Sequence, residues 1–287
     1  MKIKIGTRKS KLAMIQTEMA AKTLQSQFPD IKIEIVPVST KGDMILDKPL
    51  SMIGGKGIFV SEIERMLENK EIDIAVHSAK DLPSELGENL EISGVLPRGN
   101  YRDALVTMPG AVIKNDGNFR IGTGSLRRQM NLKRLYPNVT ILPIRGNVDT
   151  RLEKLRKGEY DGIILAAAGL ERMKISERYH FDIKMYDYDI FLPAPCQGII
   201  AIESRKDDPV SDYINKISHK ETMLAFETER KVMELLNADC SVPLGAYSEI
   251  IGDKISMAIS KSTDKILSSS APVSQRFELA RELVSEL

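Results

Sequence analysis

Ile72 to Pro83 reads IDIAVHSAKDLP. Ile72, Ile74 and Val76 are apolar and β-prone and Ala75 is small, so the run begins as a buried strand. His77, Ser78, Lys80 and Asp81 follow at once, and Pro83 stops regular structure. In open α/β sheets, ligands sit beyond the carboxyl ends of strands. The run therefore carries an acid, a base and a hydroxyl to a candidate site. Taken alone it also describes an ordinary strand exit, with Lys80 and Asp81 solvated and His77 hydrogen-bonded in a wall. The rest of the chain decides between the two.

Upstream, Lys2–Gly6 alternates as a strand, and a helix is expected from Ser10, with Leu12, Ile15 and Met19 recurring at helical spacing. Ile31–Val38 alternates as a second strand. Gly54-Gly55-Lys56-Gly57 precedes a helix with Phe59, Ile63, Met66 and Leu67 on one face. The rhythm β-α-β-α-β predicts a mainly parallel sheet with helices on its faces. Downstream the rhythm restarts. Asp103–Thr107, Arg120–Gly122, Val139–Ile144 and Gly162–Leu165 read as strands, with helices from Ser125 and over Asn147–Lys157. Phe191–Pro195 (FLPAP) is stiff and extended, and Ile199–Ile202 should rejoin the first sheet. A helix near Glu221–Leu236 leads to strands at Val242–Ile250, Ile255–Ser260 and Ile266–Ser269. A closing helix, Gln275–Leu287, is amphipathic through Phe277, Ala280, Val284 and Leu287. The expected class is α/β, with two α/β lobes (1–98 with 197–216, and 99–196) and a small C-terminal α+β domain (217–287).

The 287 residues carry a net charge of +1, no Trp and 5% aromatics, which argues against nucleic-acid binding and base stacking. The start, MKIKIGTRKS, has no long apolar run and none spans a membrane, so a cytoplasmic protein is expected. Two cysteines, Cys196 and Cys240, make no disulfide scaffold, and three histidines make a metal site improbable. No nucleotide motif survives: GGKG lacks a Walker ending, and GTGSLR lacks the third glycine of a dinucleotide fingerprint.

Basic residues recur where strands give way to helices: Arg8, Lys56, Lys80, Arg127 and Arg128 after Gly122-Thr123-Gly124-Ser125, Arg145, and Arg151 a turn further on. Helix N-termini favour anions, and Arg forks bind carboxylates bidentately. The pattern predicts a cleft between two lobes that takes a small molecule with several negative groups. Cys240 lies beside Asp239, which disfavours a reactive thiolate yet allows a one-time covalent attachment. Cys196 reads as structural.

With these residues in hand, the chain resembles the porphobilinogen deaminase (hydroxymethylbilane synthase) family. GTRKSKLAMIQ, GGKGIF, AVHSAKDLP, GTGSLRRQ, IRGNVDTRL, LAAAGLER, PAPCQG and ADCSVPLGAY occur in the family's order across nearly the whole chain. The resemblance implies two periplasmic-binding-protein-like lobes and a third domain carrying a covalent dipyrromethane, here on Cys240. It implies that four porphobilinogen units join head to tail, each losing ammonia, before water releases the linear tetrapyrrole. It implies Asp81 as the catalytic aspartate. Lys80, Ser125, Arg127, Arg128, Arg145 and Arg151 are implied around the cofactor, and Arg8, Ser10, Lys56, Gln197 and Arg172 around the substrate and growing oligopyrrole. No metal, nucleic acid or membrane partner is expected, and a monomer is. Departures include Cys196 in place of a glycine and Ala238-Asp239 where two glycines commonly precede the cofactor cysteine. Two other readings are an acidic-solute-binding module without chemistry, which leaves Asp81 and Cys240 idle, and an RNA-associated protein, which the charge opposes.

Overall fold

A computed structural model of the chain describes residues 1–39, 60–113, 118–238, 242–261 and 265–287. In chain order the strands are β1 (Lys2–Arg8), β2 (Lys32–Val38), β3 (Ile74–Ser78), β4 (Leu90–Val95), β5 (Asp103–Thr107), β6 (Arg120–Gly122) and β7 (Thr140–Leu142). They continue with β8 (Gly162–Ala166), β9 (Asp182–Tyr186), β10 (Ile200–Arg205), β11 (Gly245–Ile251), β12 (Lys254–Ser260) and β13 (Leu267–Pro272). The chain divides into two compact units, Met1–Gly99 with Ile199–Phe226, and Asn100–Gly198 with Glu227–Leu287.

In the first unit the strands lie in the order β2-β1-β3-β10-β4. β1 is parallel to β2 and β3, whereas β10 runs antiparallel to β3 and β4. The return of Ile199–Ile202 to this sheet is thus met, but the sheet is mixed rather than mainly parallel. β10 arrives after a long excursion, so no local right-handed crossover forces it parallel. Both faces are covered, which is why β3 reads as a near-continuous apolar run. Ile3, Ile5, Ile74, Val76, Ile200 and Ile202 pack with Ala20, Ala21, Leu24 and Ile214. Ile72 and Ala75 pack with Ile63 and Leu67.

Helix Lys11–Gln27 starts as expected at Ser10, whose side chain accepts from the Ala13 N–H at 3.3 Å. Its inner face differs from the expected one. Gln16, Thr17, Ala20, Ala21 and Leu24 are buried, while Met19 is exposed. Small alanines let the helix lie close on the sheet, and Leu12 turns to a cavity instead. Helix Ser61–Glu68 buries Ile63 and Leu67, as read. Lys56 and Phe59 lie outside the described residues.

The second unit holds a sheet in the order β7-β6-β8-β5-β9, with β6 parallel to β7 and β8, and β5 antiparallel to β8 and β9. Both sheets therefore share one plan, with a reversed strand in the fourth place. Each is a mixed five-stranded sheet, as an α/β lobe requires. β7 is shorter than expected because Pro143 follows it. Helix Leu126–Leu135 is capped by Ser125, and helix Val148–Arg156 by Asn147, which accepts from the Thr150 N–H at 2.9 Å. Asn147→Ala is expected to cost about 1 kcal/mol, read as a lower midpoint in denaturant melts.

The same unit contains the antiparallel sheet β11-β12-β13. Helix Arg276–Ser285 presents Leu279, Ala280 and Leu283 to a core with Val232, Ile255, Met257 and Ile259. Phe277 and Val284 are only half-buried, and Leu287 is exposed because the helix ends at Ser285 and Leu287 lies beyond it. Tyr247 of β11 sits 4.0 Å from Tyr101 and 5.0 Å from Tyr188, centroid to centroid. A Cβ on Gly245 would meet Leu192 at 2.9 Å.

Glu229, fully buried on helix Lys220–Leu235, accepts from the Cys196 N–H at 2.5 Å and the Ser248 N–H at 2.7 Å. It thereby ties the residue after FLPAP to β11. Cys196 has φ +61°, the left-handed region that glycine tolerates freely. The cysteine side chain there costs roughly 1–2 kcal/mol of backbone strain.

Candidate functional site

In the first unit, a cavity of about 70 Å³ opens at the carboxyl ends of β1 and β3. Its walls include Arg8, Ser10, Gln16, His77, Ser78 and Asp81. β1 delivers Arg8 at its last residue, and the helix cap delivers Ser10. β3 ends at Ser78 and passes into the single 3-10 turn Ala79–Asp81. Ala79 is buried and its N–H donates to the Ile199 carbonyl at 3.0 Å, so the turn is anchored at its first residue. Asp81 is exposed at the other end, with no hydrogen bond or ion pair among the described residues. Lys80, half-buried, shares the turn. Gln16 and Ser78 exchange hydrogen bonds at 2.9 and 3.0 Å. Gln16 escaped the sequence reading, although a polar residue on the buried face of a helix is itself a signal.

The second unit gathers predicted residues around one carboxylate. Asp103, fully buried at the start of β5, takes Arg127 Nη1 at 2.7 Å, Arg128 Nε at 3.0 Å and Nη2 at 2.7 Å, and Gln197 Nε2 at 3.2 Å. Arg127 also donates to the Leu192 carbonyl at 2.6 Å, and Arg128 to that of Ile164 at 2.9 Å. Burial pulls the Arg127 pKa down, and Asp103 opposes the fall. The described contacts of these two guanidinium groups thus balance charge inside the unit. Ser125 accepts from the Arg128 N–H at 3.5 Å.

The remaining cations are spread along the loops. Arg145 is half-buried after β7. Arg151 donates from Nε to the Gly146 carbonyl at 2.8 Å. Arg172 donates to the Gly198 carbonyl at 2.6 Å, and burial lowers its pKa to about 10. Cys240 and Asp239 lie outside the described residues. Ala238 and Val242, on either side, belong to the C-terminal core.

Behind the first cavity, His77 Nε2 lies 2.9 Å from Glu203 Oε2, with both side chains buried. Glu64, on helix Ser61–Glu68, has its pKa raised to about 7, first by burial and then by the charge of Glu203. A folded Glu64 keeps its proton to about 7, whereas an unfolded one releases it near 4.5. The fold therefore binds the extra proton between those values, and its contribution to stability declines as pH rises from 4.5 through 7. Denaturant melts at stepped pH are expected to show this fall, and Glu64→Gln should flatten it.

A family model described as porphobilinogen deaminase, dipyrromethane cofactor binding domain, matches residues 3–212, and one described as porphobilinogen deaminase, C-terminal domain, matches residues 223–266. The chain belongs to the porphobilinogen deaminase family. A probable porphobilinogen deaminase of Picrophilus torridus is 48% identical over 248 residues, covering 86% of this chain and 86% of that one. The porphobilinogen deaminase of Acetivibrio thermocellus is 44% identical over 255 residues, covering 89% and 86%. That of Ruminiclostridium cellulolyticum is 40% identical over 293 residues, covering 99% and 98%. Among solved structures, the VFT2 domain of Bordetella pertussis BvgS (F375E/Q461E double mutant) aligns with a TM-score of 0.46 and 18% identity over 75% of this chain and 86% of that one.

The first family match names dipyrromethane as the cofactor and spans β1 to β10. The chemistry of the cavity wall suits such a group. An exposed carboxylate with no partner among the described residues suits pyrrole N–H donors, and Arg8 in the same wall suits acidic side chains.

Proposed function

We propose that this chain deaminates porphobilinogen and joins four units head to tail on a dipyrromethane held by Cys240, releasing hydroxymethylbilane. The family match over both parts of the chain carries this reading. When bound, the dipyrromethane supplies the nucleophilic pyrrole carbon on which growth begins. Asp81 accepts the substrate pyrrole N–H and stabilises the cationic azafulvene left when ammonia departs. Arg8 and Ser10, with Lys56, Gln197 and Arg172, bind substrate carboxylates. Lys80, Ser125, Arg127, Arg128, Arg145 and Arg151 hold the cofactor's. Each added unit brings two more carboxylates, which is the chemical reason for so many cations. The buried Asp103 hub supports this role, because side chains already held in place lose less entropy on binding.

The same reading includes three domains, 1–98 with 197–216, 99–196 and 217–287. The separate C-terminal core supports the third. It also includes a cytoplasmic monomer without nucleic-acid or membrane partners. The near-neutral charge supports that, and no described helix is long and apolar enough to cross a membrane. Intact-mass measurement tests the central claim. The purified protein is expected to carry a dipyrrole adduct that Cys240→Ser lacks, with activity lost in parallel. An unmodified protein that still binds porphobilinogen would leave an acidic-solute binder.

A further inference from the structure

Behind the Asp81 cavity lies a titratable cluster that the reading above does not use. His77 is 6% exposed, and it lines the cavity. Glu203 is fully buried on β10, two residues along from Ala201, the partner of His77 across the ladder, so it shares the face of His77. Glu203 Oε2 meets His77 Nε2 at 2.9 Å. Glu203 Oε1 is buried without a hydrogen-bond partner among the described residues, and so is Glu64 Oε1. Helix Ser61–Glu68, which carries Glu64, packs on both β3 and β10. Burial and then the charge of Glu203 raise the Glu64 pKa to about 7, so the two carboxyl groups share one electrostatic environment in which Glu64 holds the extra proton.

An ionised carboxylate can only accept a hydrogen bond. Glu203 therefore fixes the proton of a neutral His77 ring on Nε2 and leaves the lone pair on Nδ1. Nδ1 has no hydrogen bond among the described residues. We infer that His77 is a second catalytic residue of this cavity, a proton acceptor whose tautomer is set by Glu203 and whose charge is balanced by the Glu203–Glu64 pair.

The inference rests on the reaction proposed above and divides its work. Asp81 shelters the cation and His77 takes the proton. When the pyrrole α-carbon bonds to the azafulvene methylene, the positive charge passes to the ring that supplied that α-carbon. The C–H bond at that α-carbon then breaks. Its electron pair restores aromaticity, and the proton goes to Nδ1. The imidazolium keeps Nε2–H on Glu203 and yields the proton to water before the next addition. Among the described residues, the charged and titratable groups around the ring are Glu203 on β10, Glu64 with Glu68 beyond it on the helix, and Arg8 and Asp81 on the cavity side.

His77→Asn tests this, with rates counted per dipyrrole-bearing molecule. We expect kcat to fall roughly 10²–10⁴-fold with KM little changed, and the acid limb of the kcat profile to vanish. Glu203→Gln should slow turnover less and move that limb to lower pH, because the imidazolium loses its counter-charge. Independently of activity, ¹⁵N spectra of the native protein, with only three histidines, should show His77 as the Nε2–H tautomer. Native turnover and an unaltered profile in His77→Asn overturn the inference, as does a neutral His77 protonated on Nδ1. If His77→Asn does not fold, the tautomer and the Glu203→Gln profile decide. A native protein without dipyrrole sinks both readings, whereas a loaded native protein with a fully active His77→Asn sinks only this one.

Discussion

Asp81→Asn is expected to lower kcat by about 10³-fold while leaving the melting temperature almost unchanged. A carboxylate about 4 Å from a unit positive charge, at an effective dielectric near 20, is worth about 4 kcal/mol, which is roughly that factor in rate. The amide keeps the size and one acceptor oxygen but loses the charge. The fold should not notice, because Asp81 is exposed and has no partner among the described residues. Exposed substitutions of that kind stay within about 0.5 kcal/mol. Steady-state kinetics beside a thermal melt checks both halves. A variant that makes tetrapyrrole at native speed would remove the aspartate from the mechanism.

Asp103→Ala should show the reverse pattern, with stability lost first. Asp103 is fully buried and accepts from two guanidinium groups and one amide. Removing it leaves Arg127 and Arg128 as buried charges without their counter-ion, a change worth about 3–5 kcal/mol. Chemical denaturation is the measurement, with the midpoint expected to drop sharply at unchanged slope. Activity should fall as well, because the same two arginines are assigned to the cofactor. The contrast is diagnostic. One aspartate waits for a ligand, and the other is already committed to the fold.

Local signals carried much of the architecture. The apolar run 72–76 ends one residue before the buried part of β3 does, at His77, and Asp103–Thr107 is a strand over the expected range. Ser10, Ser125 and Asn147 all cap helices through their side chains. Other signals were present but passed over. Val210, Ile214 and Ile217 stand at helical spacing, and they form the buried side of helix Val210–Ile217. β9 was another: Asp182, Ile183, Lys184 and Met185 alternate polar and apolar, although most of these residues stay open in the fold. The expected stripe of the first helix failed because alanines, not the larger apolar residues, face the sheet.

By itself the amino-acid order determined the alternation of strands and helices, the family, and the place of Asp81 just past a strand end. Those features depend on neighbours within a few residues, where periodicity, capping and turn chemistry act. Only the tertiary structure decided which charges meet. Asp103 finds Arg128 25 positions away, and His77 finds Glu203 126 positions away. Strand order and register bring such groups together, and burial then makes the pairing obligatory, because a lone charge in a dry core costs more than the fold can spare.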